Sequence, residues 1–213
     1  MHSYLTIVCP VGATIITFDD IPNADPVQGT IPAVYANLQW VDANYLNATA
    51  RPTSGYRFVV VSGEYIAWNN VALTIQTLLT NNTITLHSCV MAAGWSDSVT
   101  LTVVGYRSAT QLYTTSFSLN TYQQAVALFQ WSGVNKVVFT PSGSGYIDFG
   151  IDNLCVTSFD EIMTTLEGDE RFKSSKRRFV SKTKQKSNII ISFSSILVCY
   201  ENSIFGCGGL KII

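Results

Sequence analysis

Polar–apolar alternation over short segments most constrains what this chain can fold into. In Ser98–Tyr106, Val99, Leu101 and Val103 share one face, and Thr100 and Thr102 the other. Side chains of an extended strand point alternately to two faces, so a period of two marks a strand with one face buried. In Asn82–Met91, Ile84, Leu86, Ser88 and Val90 alternate with Thr83, Thr85, His87 and Cys89. Tyr113, Thr115, Phe117 and Leu119 repeat the pattern, as do Ala127, Phe129 and Trp131, then Val137 and Phe139. Strands also fit Thr14–Asp20, Ala36–Leu46, Phe58–Val61, Tyr65–Asn69 and Tyr146–Val156. Turn signals separate them, among them Asn81-Asn82, Gly94, Ser132-Gly133 and the loop Pro141–Gly145. No long segment carries a helical period.

Some ten short strands with turns every ~8–12 residues predict an all-β chain, an antiparallel two-sheet β-sandwich of the jelly-roll type. Polar outer faces favour antiparallel over parallel pairing. In the closing strand, Ile147, Phe149 and Ile151 share a face, and Leu154 and Val156 fall on the other. One extra residue at Asp152-Asn153 would return both sets to the core, so a β-bulge is expected there.

Charge divides the chain. Residues 1–157 hold four cations and eight acids, a net of −4; the remainder is +3, with eight Lys and Arg between Arg171 and Lys186. This predicts an N-terminal segment 1–12, a sandwich domain 13–159 and a poorly structured C-terminal tail 160–213. The tail is acidic over Asp160–Glu170, then basic, then apolar over Ile189–Cys199. Its basic stretch could touch anionic lipid or nucleic acid; the simpler reading is a linker outside the domain. The domain itself is too acidic to bind nucleic acid through overall basicity. No apolar run has the roughly 18 residues of a membrane-spanning helix, despite a mean hydropathy of +0.23.

Catalysis has little to work with. The two histidines are the near-terminal His2 and His87, and His87 reads as a surface residue on a polar strand face. No G-x-S-x-G, H-E-x-x-H, CxxC or P-loop pattern occurs. A glycosidase needs two facing carboxyl groups, and Glu64 is the one Glu before residue 158. The domain is therefore read as non-catalytic; a glycan-active hydrolase built on Asp residues is the distant alternative.

Two groups of residues can bind. Asp19 and Asp20 open the domain, and Asp152 and Asn153 close it; terminal strands of a jelly roll are often neighbours. Their oxygens could hold a structural Ca²⁺, a hard cation taking six to eight oxygen ligands. The simpler reading has Asp19 and Asp20 capping a turn and Asp152-Asn153 making the bulge. Sugar rings stack their C–H faces on exposed aromatics while neighbouring amides and carboxylates bond the hydroxyls. Trp68 beside Asn69, and Trp95 beside Ser96 and Asp97, fit that pattern, although such aromatics more often fill a core. Trp40, Trp131, Phe18 and Phe149 read as core.

The order of several short motifs from Thr14 to Phe159 resembles a family of exported jelly-roll domains. These are Phe18-Asp19-Asp20, Trp40 with Tyr45, Val61-Ser62-Gly63, Ala92-Ala93-Gly94-Trp95-Ser96-Asp97, Val104-Gly105-Tyr106, Trp131-Ser132-Gly133-Val134 and Ile151-Asp152-Asn153-Leu154. The family is that of secreted bacterial proteins of the PEP-CTERM type. The acidic opening strand and the closing Ile-Asp-Asn are also similar to MAM and galactose-binding-like domains. The resemblance implies a cation near the acidic opening, and adhesion or glycan binding outside the cell. The sorting tail of the PEP-CTERM type is not present in the sequence, so it gives no support to anchoring of that type.

The resemblance, rather than a targeting signal, implies secretion: Leu5–Val8 is apolar but lacks a basic start. Cys9 and Cys155 flank the terminal strands and could form a disulfide in an oxidising compartment. Unpaired thiols are the simpler reading, and Cys89 has no obvious partner. Asn47-Ala48-Thr49 and Asn81-Asn82-Thr83 are N-glycosylation sequons at expected loops or strand ends, patterns that also arise by chance in a Thr-rich chain. The expected function is an extracellular binding module for glycan or for an extracellular protein in adhesion. A structural matrix or cell-surface module without a small ligand is the alternative.

Overall fold

The structure, a computed structural model, describes residues 9–159, 189–192 and 195–198. The chain divides into two units, Met1–Glu161 and Ile162–Ile213. In the second, β14 (Ile189–Ser192) and β15 (Ser195–Val198) pair as an antiparallel hairpin. The expectations of a poorly structured tail and of lipid contact fall mainly on residues 160–188 and 199–213, outside the described residues.

Among its described residues the first unit contains thirteen strands: β1 (Thr14–Ile16), β2 (Gln28–Thr30), β3 (Val34–Tyr35), β4 (Leu38–Val41), β5 (Asn44–Asn47), β6 (Tyr65–Asn69), β7 (Leu73–Thr77), β8 (Thr83–Ala93), β9 (Val99–Arg107), β10 (Thr110–Leu119), β11 (Ala125–Val134), β12 (Lys136–Ser142) and β13 (Phe149–Phe159). One sheet runs β11-β8-β13-β6-β5-β2, with β1 also paired to β13; the other runs β10-β9-β12-β7-β4-β3. All pairs are antiparallel. This is the expected two-sheet sandwich. The inner faces of both sheets meet in one core that includes Phe18, Trp40, Leu73, Leu101, Val103, Phe139 and Phe149. Burying a side chain of this size contributes about 1.5–3 kcal/mol.

Bulges decide which side chains reach that core. β13 has an extra residue between Asp152 and Cys155 relative to β8, with Asn153 at φ 48°. Phe149, Ile151, Leu154 and Val156 are all buried as a result. β8 has its own extra residue at His87: Cys155 opposes Ser88 while Val156 opposes Leu86. Ile84 and Leu86 therefore share the inner face with Cys89, Met91 and Ala93, not with Ser88 and Val90 as strict alternation predicts. His87 is also not a surface residue. It is 9% exposed, with Nδ1 3.2 Å from Gln130 Oε1 and Nε2 2.9 Å from Thr157 Oγ1, because polar side chains of both neighbouring strands close over it.

Four expected strands differ: Tyr146–Val156 begins only at Phe149, and three others depart further. Ala36–Leu46 is two strands in different sheets, turned at Asp42 (φ 52°), a left-handed conformation that Asp tolerates. Thr14–Asp20 is strand only to Ile16, and Phe18 takes φ 66°. Residues 55–58 form a 3-10 turn, Gly55–Phe58, and no strand follows it before Tyr65. Together with Ala48, just after β5, that stretch covers the outer face of the first sheet: Ala48, Tyr56 and Val59 pack on Leu46, Ile66 and Ala92 in a second apolar cluster. Tyr56 is thereby fixed beneath the loop that follows β8.

Candidate functional site

At the end of β8, four loops converge. Gly55 donates its amide to Gly94 O at 2.8 Å, and Gly94 donates to Asp148 O at 2.9 Å. Ala93 donates to Asn120 O at 3.1 Å. Asp97 Oδ1 accepts the Thr121 amide at 2.8 Å and also the Thr121 hydroxyl. Those two donors, the hydroxyl first, hold the Asp97 carboxyl below its ordinary range. Ser96 Oγ donates to Ser144 O at 3.3 Å. Loops 94–98, 120–123 and 143–148 are thus tied into one end of the sandwich.

Each of these loops presents an aromatic ring to solvent: Trp95 is 47% exposed, Tyr122 62% and Tyr146 75%. Trp95 stands edge-on to buried Tyr56, with centroids 6.3 Å apart at 85°. Tyr56 also contacts the half-buried Trp68 at 6.4 Å. The indole of Trp68 donates to Tyr45 O at 3.2 Å. A Cβ on Gly94 would stand 2.5 Å from the Tyr56 hydroxyl, so glycine is needed for this close approach.

The four residues read as ligand contacts therefore have distinct places. Trp95 is the exposed ring, and Asp97 beside it is exposed as well. Trp68 contacts the other side of Tyr56. Asn69 is buried, its amide donating to Asp42 O and its oxygen accepting the Asn70 amide at 2.9 Å. Asp97 holds the Tyr122 loop. Tyr56, Tyr122, Tyr146 and Asp148 were not singled out from sequence. The signal for Tyr122 and Tyr146 is a lone aromatic in a polar loop, Asn120–Gln124 and Pro141–Asp148. Tyr146 precedes β13 instead of opening it.

The acidic groups at the domain's two ends do converge, around the loop before β6. The side of β13 that pairs β6 through Ile151 pairs β1 from Leu154 onward. In the gap between those partners, Asp152, fully buried, accepts the Val61 and Ser62 amides on Oδ2 at 2.8 and 3.3 Å, and its own neighbour Asn153 N on Oδ1 at 2.7 Å. Asn153 Oδ1 accepts the Ser62 hydroxyl at 2.8 Å. Asp19 Oδ1 accepts the Glu64 and Tyr65 amides at 2.8 and 3.0 Å. Asp20 instead accepts the Tyr35 hydroxyl. Each of these carboxylates accepts a donor of the chain itself on at least one oxygen, and among the described residues no group of three or more His, Cys, Asp or Glu gathers around a metal-sized space. Burial pushes the Asp152 carboxyl up to about 6, its three amide donors only partly opposing that.

Cys9 and Cys155 are joined as a disulfide, Cα atoms 5.9 Å apart, and Cys89 is a buried free thiol. Cys199 and Cys207 lie outside the described residues. Asn47 is 8% exposed; its oxygen accepts the Thr49 amide and hydroxyl at 2.9 and 2.6 Å, and its amide donates to Glu64 at 2.9 Å. Asn81 is exposed in the turn between β7 and β8, at the opposite end of β8 from Trp95. Among the described residues no helix is long and apolar enough to cross a membrane.

No family model and no curated protein matches the chain. Among solved structures it is similar to the carbohydrate-binding module TmCBM61 in complex with β-1,4-galactotriose, with 11% identity, a TM-score of 0.34, and coverage of 61% of this chain and 92% of that one. It is also similar to a cyclase from Fischerella sp. TAU in complex with 4-(1H-indol-3-yl)butan-2-one, with 12% identity, a TM-score of 0.33, and coverage of 72% and 88%. At these scores neither likeness assigns a ligand or a site to this chain, and neither extends to the PEP-CTERM type.

Proposed function

We propose that the domain is a non-catalytic, extracellular carbohydrate-binding module whose ligand lies on the loops carrying Trp95, Tyr122 and Tyr146. The observation that carries this reading is the exposure of three aromatic rings on three loops that are hydrogen-bonded into one end of the sandwich. Large aromatics left in water at adjoining positions mark an interaction surface. An aromatic face carries negative charge density, which suits the polarised C–H groups on the flat side of a pyranose. The Cys9–Cys155 disulfide supports an oxidising compartment.

A glycan array probed with the full chain and with Trp95→Ala tests the reading. Retention on a set of related glycans by the parent, lost in the variant, supports it. Absence of retention on every glycan sinks it and leaves an adhesion or matrix module without a small ligand.

A further inference from the structure

The outermost strand of a sheet carries unpaired N–H and C=O groups, and an undefended edge is a template for another strand. β11 and β2 end one sheet, with β1 as a side branch; β10 and β3 end the other. β1, β2 and β3 are each three residues or fewer, too short to hold a partner. β11 is broken by two register shifts, with Gln130 and Gly133 in the left-handed conformation. β10 has no such device over Tyr113–Leu119. Those residues pair with β9 in unbroken register, from Tyr113 opposite Gly105 to Leu119 opposite Val99. They include no proline, glycine or charged residue, and among the described residues no strand pairs with their other edge. From Ser98 to Asn135 the one charged residue is Arg107.

We propose that β10 is a dimerisation edge. Two copies of the chain pair β10 with β10, antiparallel, about a twofold axis at Ser116, so that their second sheets become one continuous sheet. A twofold axis makes the contact self-complementary. Thr114 then faces the copy's Ser118, Thr115 its Phe117 and Tyr113 its Leu119. Thr114, Ser116 and Ser118 are exposed on the outer face, where Ser116 Oγ already lies 3.0 Å from Thr102 Oγ1. The pairing extends that row of hydroxyls across the axis. Tyr113 and Phe117 are half-buried on the inner face, Tyr113 stacked on Trp131 and Phe117 edge-on to Phe129. The copy's strand covers the sides of those rings that remain in water. Charge favours the same arrangement. Antiparallel pairing carries the Arg107 end of each copy toward the other's Asp97 end, since Asp97 is tied to Thr121 just beyond β10. Opposite charges thus approach at both ends of the contact, in domains whose net negative charge otherwise sets them apart. Seven residues of strand extend about 24 Å. So short a contact is small among specific interfaces, and the dimer is expected to depend on concentration. β10 runs into the loop carrying Tyr122, so the Trp95 ends of the two copies point in opposite directions. On the glycan reading above, the pair would bridge two glycan-bearing surfaces.

Sedimentation velocity of the full chain over a dilution series, with no glycan present, tests the pairing separately from the glycan reading. The parent is expected to pass from monomer to dimer as concentration rises. Thr114→Lys combined with Ser118→Lys sets like charges opposite each other across the axis and is expected to weaken association at least tenfold. Thr114→Lys combined with Ser118→Glu sets opposite charges in the same places and is expected to keep the dimer. Hydrogen exchange on the parent locates the contact without relying on any variant to fold: amides of β10 directed away from β9 are expected to gain protection with concentration. A chain that stays monomeric throughout overturns the inference. So does protection gained elsewhere than β10, assembly beyond a dimer, or a dimer that the double-lysine variant leaves intact. A lysine–glutamate variant as monomeric as the double-lysine one overturns the pairing about Ser116.

Discussion

The Asp152 carboxylate accepts the Val61 amide at 2.8 Å across 91 residues of sequence. This contact fills the place where β13 exchanges its partner β6 for β1. Burial raises the Asp152 carboxyl from 3.8 to about 6, so the folded chain holds a proton there that the unfolded chain has released. The stability contributed by that protonation is complete below pH ~4 and is lost as pH rises through about 6. A two-unit displacement corresponds to about 3 kcal/mol. Denaturation midpoints are expected to fall between pH 4 and 7 in the parent and to flatten in Asp152→Asn. Because chain amides occupy Asp19 and Asp152, a chelator is expected to leave the Tm in place. A drop of several degrees would instead make Asp19, Asp152 and Asn153 a calcium site.

The same loop is held tightly at Gly63, which has φ +58° and lies where any Cβ would meet the Asp19 carboxyl group. Gly63→Ala is expected to cost about 1–3 kcal/mol through backbone strain and displacement of Asp19. Urea denaturation measures it. A neutral substitution would show that Asp19 does not pin the loop.

The disulfide closes a separation of 146 residues. Loop-closure entropy gives an upper figure of about 5 kcal/mol for so long a loop. Non-reducing peptide mapping is expected to recover Cys9 bonded to Cys155, and reduction to lower the denaturation midpoint. Cys89, buried and with its thiol pushed up by burial, is expected to resist alkylation until the chain unfolds.

The two sequons should behave differently. Asn47 is buried and uses both ends of its amide inside the fold, whereas Asn81 is exposed in a turn. Expression through a glycosylating secretory pathway is expected to give a glycan on Asn81 that Asn81→Gln removes and Asn47→Gln does not. Folded protein carrying a glycan on Asn47 would contradict the burial of that side chain.

The sandwich was legible because strand alternation is a local property. Val99, Leu101 and Val103 declare their face without knowledge of the partner strand. Even the bulge at Asp152-Asn153 could be read, since Ile151 and Leu154 both need the core. The bulge at His87 could not, because Ser88 and Cys89 suit either face and neighbouring strands decide between them. The split of Ala36–Leu46 was hidden for a related reason: Trp40 and Tyr45 are both buried, but on strands of different sheets. The site was half legible. Trp95 stood out beside polar neighbours, whereas Tyr56 comes beneath it only through long-range packing, which sequence does not display. Asn69 and Asp97 had the right chemistry for sugar hydroxyls; the fold buries Asn69 against Asp42, whereas Asp97 stays exposed and ties the Thr121 loop through one oxygen.

The proposed ligand site lies on the Trp95 end of the sandwich. The most direct measurement follows the four tryptophan indole N–H resonances by NMR while a glycan retained on the array is added to the full chain. The Trp95 resonance is expected to move with saturation, together with the amides of Thr121, Tyr122 and Tyr146, while buried Trp40 and Trp131 stay in place. Unmoved Trp95, or shifts gathered around Asn81 at the opposite end of β8, would contradict it.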